Sequence, residues 1–190
     1  MLTCAIAALT LGFNGPQPPL CCPSTLEEIK GAPAISMEYA GAMFGTCCGG
    51  CDTPFVKDPT GLIAKAIKAD KTVGAFEYDP VTGFKVDPAK AEAFSDYKAI
   101  RYFFATADEK KTFDAKPTKF VTDVKSEAYF CPVMEQPTTS KDAAGYSDYN
   151  GVRYFMCCTY CVKKFRANPL AYVAKSAAAV KPLTVVVLKK

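Results

Sequence analysis

The hydrophobic and polar positions of residues 149–165 predict a β-hairpin followed by a helix. An Asn-Gly pair at 150–151 stands between aromatic and apolar residues, and it is a strong hairpin signal because both central residues of a type I′ turn need a positive φ. Residues 152–156 then alternate as a strand does. From Cys157 the apolar period changes to four, which predicts that Cys157 and Cys161 share one face of a helix.

Two further segments follow this pattern towards the C-terminus. Asn168-Pro169 interrupts the predicted helix and can cap a second one over 169–179. The β-branched run at 183–188 predicts a strand added to one of the preceding elements.

The same pattern recurs near the N-terminus at a constant offset of 110 residues. Tyr39-Ala40-Gly41 corresponds to Tyr149-Asn150-Gly151. The cysteines at 47, 48 and 51 correspond to those at 157, 158 and 161, and Cys22-Pro23 corresponds to Cys131-Pro132 after a slip of one residue. The two ends of the chain are therefore copies of one unit.

A third copy lies between them, at an offset of 52 from the last one. Residues 95–103 match residues 147–155 in order and character. The four cysteine positions of this copy read Asp79, Ala105, Thr106 and Glu109. The middle copy is thus predicted to keep the scaffold without its thiols.

These repeats predict an α+β protein made of three tandem small ββα units packed together. The predicted organisation is an apolar, Pro-rich segment over 1–18, unit 1 over 19–72, unit 2 over 73–126, unit 3 over 127–180, and a C-terminal strand or tail over 181–190. Units of this size bury little apolar surface alone, so metal ions, disulfides or packing against a neighbour are expected to supplement each core.

Composition and charge indicate an ordinary globular protein. The 190 residues are 49% hydrophobic and 22% charged, with a net charge of +4. No basic block with interleaved aromatic residues occurs, so a nucleic-acid partner is not expected.

The first 13 residues form an apolar run that is too short to span a bilayer, and no transmembrane span is predicted. Two interpretations stay open. The run has the length of a signal-peptide core but lacks a preceding Lys or Arg and a clear cleavage site. Alternatively, it is a strand or helix that packs on unit 1, and Cys4 belongs to either.

The cysteines carry the candidate chemistry, because the chain has ten of them and no histidine. Nine fall into two matching clusters, which are Cys21, Cys22, Cys47, Cys48 and Cys51, and Cys131, Cys157, Cys158 and Cys161. A soft thiolate site needs about four sulfurs within about 2.3 Å of one ion, and a cysteine pair at a spacing of three or four residues plus a distant Cys on a turn can supply it. The predicted ligand is Cu(I) or Zn²⁺, held by sulfur alone.

Two other uses of these thiols remain open at this stage. In an exported protein each cluster could close as a disulfide that staples the hairpin to the helix. The two Cys-x-x-Cys pairs, at 48–51 and 158–161, could instead be redox-active, although neither lies in a βαβ context.

The motifs resemble the YHS domain, a small module related to the TRASH heavy-metal domains. The resemblance is carried by Cys131-Pro132-Val133-Met134, the hairpin 149–155, Cys157-Cys158-x-x-Cys161, Phe165 and Asn168-Pro169. It is close in unit 3, fair in unit 1 and limited to the scaffold in unit 2. The adjacent Cys48 and Cys158 and the lack of histidine depart from the family pattern.

The resemblance implies a treble-clef-like fold whose metal ligands come from the Cys-Pro turn and the helix start. Carried over residue by residue, it nominates Cys22, Cys47 and Cys51 in unit 1, and Cys131, Cys157 and Cys161 in unit 3. With the adjacent thiols, the candidate metal ligands are Cys22, Cys47, Cys48, Cys51, Cys131, Cys157, Cys158 and Cys161.

The expected function is a non-enzymatic protein that sequesters or transfers Cu(I) or Zn²⁺ outside the cytoplasm, in the periplasm or secreted. Its expected partners are the metal ion and a protein that delivers or accepts it. The alternatives are an exported, disulfide-stapled structural or interaction protein and a thiol-disulfide redox protein.

Overall fold

The computed structural model describes residues 17–188, and the chain has a mixed α+β fold, as predicted. Residues 1–16 and 189–190 lie outside the described residues. The predictions for the apolar N-terminal run and for Cys4 fall in the first of these ranges.

Short strands alternate with short helices along the chain. The strands are β1 (Ser36–Tyr39), β2 (Ala42–Gly45), β3 (Gly74–Phe76), β4 (Ala93–Tyr97), β5 (Ile100–Phe104), β6 (Ser126–Ala128), β7 (Phe130–Cys131), β8 (Gln136–Pro137), β9 (Gly145–Tyr149), β10 (Val152–Met156), β11 (Lys181–Pro182) and β12 (Val186–Leu188). The α-helices are α1 (Asp52–Lys57), α2 (Pro59–Lys68), α3 (Ala107–Ala115) and α4 (Thr159–Ala167), and the 3₁₀ turns are Pro117–Lys119, Pro169–Ala171 and Val173–Ala179.

The strands form one large and two smaller sheets within residues 17–188. The six-stranded sheet has the order β12-β1-β2-β3-β5-β4 and so joins unit 1, unit 2 and the C-terminal strand. The four-stranded sheet, β11-β6-β10-β9, belongs to unit 3 and the segment after it, while β7 and β8 form a separate ladder. In both larger sheets a parallel pair, β3 with β5 and β6 with β10, accompanies the antiparallel hairpin.

The hairpins β1-β2, β4-β5 and β9-β10 all turn through two residues at positive φ. The φ values are 51° and 74° at Ala40 and Gly41, 49° and 65° at Lys98 and Ala99, and 50° and 75° at Asn150 and Gly151. These values are typical of the type I′ turn, which suits the right-handed twist of paired strands. The turn predicted from Asn-Gly is therefore present at 150–151.

Units 2 and 3 have the same element boundaries at an offset of 52 residues, from β3 and β6 to α3 and α4. Two predicted boundaries differ. Helix α4 begins at Thr159, because Cys158 is extended (φ −154°, ψ 160°) and takes the N-cap position, so Cys157 precedes the helix. Residues 169–179 form 3₁₀ turns instead of an α-helix, although the equivalent residues of unit 1 form α2.

The Arg153 guanidinium joins all three units. Its Nε and one terminal nitrogen donate to the Asp148 carboxylate at 2.8 and 2.7 Å, and its other nitrogen donates to the carbonyl of Ala40 in unit 1. The guanidinium carbon also lies 4.7 Å from the ring centre of Phe76 and 4.8 Å from that of Tyr146. A buried arginine thus binds a carboxylate in unit 3 while stacking on an aromatic ring of unit 2.

The apolar core has two parts. The larger one contains residues of all three units, among them Phe44, Phe76, Tyr102 and Phe155. The smaller one lies inside unit 3 and includes Cys131, Cys161 and Phe165, so the thiol cluster of that unit forms one side of its own core.

A pair of buried carboxylates lies between units 1 and 3. Glu38 on β1 is 5% exposed and accepts hydrogen bonds from the hydroxyls of Tyr129 and Ser140. Glu127 on β6 is 6% exposed, and its Oε2 has no hydrogen-bond partner. Burial and the charge of Glu38 raise the pKa of Glu127 to about 7, against the opposing charge of Arg153.

Glu127→Gln is expected to stabilise the protein at alkaline pH. The pKa of Glu127 is raised in the folded protein, so folding favours the neutral carboxyl group. This contribution to stability is fully present below the unfolded-state pKa and is lost as the pH rises through about 7, where the buried carboxylate becomes charged. At pH 8.5 the variant should gain up to about 3 kcal/mol, at roughly 1.4 kcal/mol per pKa unit. Urea unfolding of both proteins between pH 5 and 8.5 measures this gain, and a gain that does not shrink towards pH 5 would contradict it.

Arg153→Met is expected to destabilise the fold more than Arg101→Met. Arg101 makes the same bidentate pair with Asp96 in unit 2, but the Asp96 side chain is 35% exposed, whereas that of Asp148 is 9% exposed. Removing Arg153 leaves the buried Asp148 carboxylate without its ion-pair partner, and the free energy of unfolding should fall by about 3–5 kcal/mol. After the control substitution Arg101→Met, water can solvate the Asp96 carboxylate, so the loss should be smaller. Equal losses of unfolding free energy in urea would show that burial of the partner carboxylate does not decide the effect.

Candidate metal centres

An equivalent tight loop begins each unit. These entry loops are residues 21–28, 78–85 and 130–137, and each is closed by antiparallel pairing of its ends: Cys21 with Glu28, Tyr78 with Lys85, and Phe130 with Pro137. The chain reverses through one residue at positive φ in each loop, namely Leu26, Gly83 and Glu135. The first candidate ligand of units 1 and 3, Cys22 or Cys131, lies near the start of its loop.

In unit 1 the structure brings together Cys22, Cys47 and Cys51. Their Sγ atoms all lie within 4.8 Å of one another, and Cys47 and Cys51 are 3.9 Å apart. Cys22 comes from the entry loop, Cys47 follows β2, and Cys51 takes the N-cap position of α1. Ser24 ties the loop to this helix start, because its hydroxyl donates to the carbonyl of Cys51 at 2.6 Å.

In unit 3 the structure brings together Cys131, Cys157 and Cys161 in the same way. Their Sγ atoms also lie within 4.8 Å of one another, and Cys157 and Cys161 are 4.0 Å apart. Cys131 and Cys161 are fully buried, while Cys157 at the end of β10 is partly exposed. Each triad therefore joins an entry loop, the end of a hairpin and the start of a helix.

Backbone amides surround the first sulfur of each triad. Burial opposes ionisation of the Cys22 thiol, but N–H groups outweigh it and lower its pKa to about 7. These N–H groups belong to Cys47, Thr25 and Ser24. Burial likewise opposes ionisation of Cys131, whose pKa is lowered by the N–H groups of Cys157 and Met134. Amide donors of this kind stabilise a thiolate, which is the form that binds a metal.

The last sulfur of each triad holds its proton more strongly. A hydrogen bond with Cys48 together with burial raises the pKa of Cys51, and burial together with a hydrogen bond from Cys158 raises that of Cys161. A triad thus pairs one easily ionised sulfur with thiols that stay protonated. A metal cation has to displace these protons, so its binding is coupled to proton release.

Cys48 and Cys158 lie beside the triads. Cys48 is exposed, and its Sγ is 3.1 Å from that of Cys51. Cys158 is partly exposed, and its Sγ is 3.2 Å from that of Cys161. Six of the eight predicted ligands therefore form the two triads, and these two occupy an outer position. Cys21 is buried in the larger apolar core and belongs to neither triad.

The middle unit keeps the geometry with different side chains. Asp79 replaces the first cysteine, and its carboxylate accepts from the backbone N–H of Val81 at 2.8 Å and from the hydroxyl of Thr82 at 2.7 Å. Thr106 and Glu109 cap the start of α3 reciprocally. Among residues 17–188, the two thiol triads are the clusters with the spacing of a metal site.

Sequence reasoning missed the backbone amides around Cys22 and Cys131. A signal for them exists, because both cysteines precede a proline, which starts a turn and leaves the following N–H groups free to face the sulfur. The buried Glu38–Glu127 pair was also missed. Only the packing of units 1 and 3 brings these two residues together.

No helix in the described part of the chain is both long and apolar enough to cross a membrane. Comparisons with protein-family models, with curated proteins and with solved structures find no match to this chain. The function is therefore inferred from the geometry of the thiols.

Proposed function

We propose that the protein binds one soft metal ion in each of its two cysteine triads, and that the ion is Cu(I) or Zn²⁺. The observation that carries this proposal is the convergence of three sulfurs within 4.8 Å at equivalent places in units 1 and 3. In both, the first sulfur is buried and faces backbone N–H groups. The nine cysteines of residues 17–188 are all free thiols, so the six triad sulfurs are available to a metal.

The spacing of the sulfurs supports a metal ion rather than a disulfide within each triad. Two thiolates on a tetrahedral Zn²⁺ at about 2.3 Å stand about 3.8 Å apart, whereas bonded sulfurs are separated by about 2.05 Å. The separations of 3.9 Å between Cys47 and Cys51 and of 4.0 Å between Cys157 and Cys161 match the metal distance. Three thiolates complete the coordination of Cu(I), and Zn²⁺ would take its fourth ligand from outside the triad.

The chain is proposed to contain three YHS-like units with treble-clef-like folds, of which the middle one is a spacer. This proposal is supported by the recurrence of entry loop, hairpin and helix at constant offsets and by the Cys-Pro starts of units 1 and 3. The second unit lacks thiols at the triad positions, so it supplies packing surface.

The protein is proposed to act without catalysis, sequestering metal or passing it to and from a partner protein outside the cytoplasm. The partial exposure of Cys47 and Cys157 supports exchange with a partner, because an incoming ligand can reach one sulfur of each triad. The apolar N-terminal sequence supports an exported location.

The reduced protein is expected to bind two ions per chain. Each triad is complete by itself. The double variant Cys157→Ser, Cys161→Ser should therefore keep only the ion in unit 1, and the double variant Cys47→Ser, Cys51→Ser should keep only the ion in unit 3. Elemental analysis after anaerobic loading with Cu(I) or Zn²⁺ and removal of free metal measures the stoichiometry. Ala105→Ser, at the unit 2 position equivalent to Cys157, is the matched control and should keep two. A reduced wild type that retains no metal would overturn the proposal.

A third site should appear when the triad is rebuilt in unit 2. The positions equivalent to Cys131, Cys157 and Cys161 are Asp79, Ala105 and Glu109, and the surrounding elements share their boundaries. The triple variant Asp79→Cys, Ala105→Cys, Glu109→Cys is expected to bind three ions, measured in the same way. Asp79→Cys alone is the control and should bind two. Two ions in the triple variant would show that equal boundaries do not suffice for a site.

A further inference from the structure

Each thiol cluster also contains a close pair of sulfurs that includes a cysteine outside the triad. The pairs are Cys48 with Cys51, 3.1 Å apart, and Cys158 with Cys161, 3.2 Å apart. The triad pairs are wider, at 3.9 and 4.0 Å. Each cluster therefore contains one pair of thiols in direct contact, whose sulfurs have to approach by about 1 Å to form a disulfide, and a triad with the spacing of metal ligands.

The two arrangements share one sulfur in each unit. Cys51 and Cys161 belong both to a triad and to a close pair. A sulfur that forms a disulfide can no longer act as a thiolate ligand, so oxidation of the pair and metal binding by the triad exclude each other.

The partners of these shared sulfurs are open to reagents. Cys161 is fully buried and Cys51 is 9% exposed, whereas Cys48 is exposed and Cys158 partly exposed. A small oxidant in solution therefore meets the outer sulfur first, and the inner sulfur lies directly behind it.

The local backbone holds each outer sulfur over the inner one. Cys158 is the extended N-cap residue of α4, and Cys161 lies in the first turn of that helix. In unit 1, Gly49 and Gly50 separate the two cysteines, and Gly50 has a φ of +91° that a glycine adopts without strain. The two sulfurs thus come into contact in both units although the helix begins after the inner cysteine, Cys51, in unit 1 and after the outer cysteine, Cys158, in unit 3.

We propose that Cys48–Cys51 and Cys158–Cys161 are thiol-oxidation sites, at which a low-molecular-weight disulfide converts each pair to a disulfide and the bound metal ion is released. The release step rests on the proposed metal-binding function. Formation of the two disulfides does not, because it requires the thiols alone.

The reaction consumes one oxidant molecule per pair. The outer thiolate attacks the oxidant disulfide, forming a mixed disulfide and expelling one small thiolate. The inner sulfur then attacks the outer one, expelling the second small thiolate and leaving the metal ion with two ligands. The two protein sulfurs together lose two electrons, and the oxidant is reduced to two small thiols. One small thiolate takes the proton of the outer thiol, and the other takes a proton from water, because the metal-bound inner sulfur carries none.

Zinc-loaded protein exposed to excess oxidised glutathione tests the proposal. A chromophoric zinc chelator in the solution reports release, and peptide mass mapping of the alkylated protein identifies the disulfides. The expected result is release of two zinc ions together with linkages 48–51 and 158–161. Cys48→Ser should still bind two ions but lose oxidant-dependent release from unit 1 by at least ten-fold, while unit 3 in the same molecule serves as the control. Cys158→Ser should give the reciprocal result.

Each other outcome has a distinct meaning. Disulfides mapped to other cysteines, or release from Cys48→Ser at the wild-type rate for both ions, would overturn the proposal. A Cys48→Ser variant that binds one zinc ion fewer would make Cys48 a ligand and overturn the division into triad and outer sulfur. Wild-type protein that binds no zinc would contradict the proposed function, and mapping its disulfides after oxidation would still confirm or refute the two pairs.

Discussion

The packing of the three units depends on the Arg153 guanidinium. Its charge is balanced by Asp148 in unit 3, its faces rest against Phe76 and Tyr146, and its remaining nitrogen donates to the Ala40 carbonyl of unit 1. A buried cation of this kind is costly to desolvate, and its ion pair and hydrogen bonds offset that cost. The arrangement therefore holds the hairpin turn of unit 1 against unit 3.

The scaffold and the thiol chemistry can be separated, because the middle unit has one without the other. Where Cys131 accepts backbone N–H groups, Asp79 accepts the N–H of Val81 and the hydroxyl of Thr82. A side chain that accepts hydrogen bonds from nearby N–H or O–H groups thus occupies the same place in the entry loop of all three units. The proposed metal site consists of the cysteine in this loop and two cysteines that follow the hairpin. Unit 2 can therefore lack these thiols and keep the fold.

The Asn-Gly pair predicted the hairpin turn at 150–151 correctly, because two adjacent residues decide such a turn. The repeat along the chain pointed to the cysteines that the structure brings together in each triad. The start of α4 was placed two residues early, because periodicity alone cannot show that Cys158 adopts an extended N-cap conformation. Residues 169–179 were predicted as a helix and form 3₁₀ turns. The parallel pairing of β3 with β5 and the burial of Glu127 depend on contacts between distant segments, which no local pattern records.

The position of β12 in the six-stranded sheet has a consequence for the order of folding. This strand comes from the far end of the described chain, yet it pairs with β1 near the beginning, from Ser36 opposite Leu188 to Glu38 opposite Val186. During synthesis on the ribosome, β1 has an unpaired edge until the chain has been made as far as β12. An open edge can pair with other nascent chains. Because β1 and β12 are far apart in the sequence, their pairing is expected to form more slowly than that of local hairpins such as β9-β10.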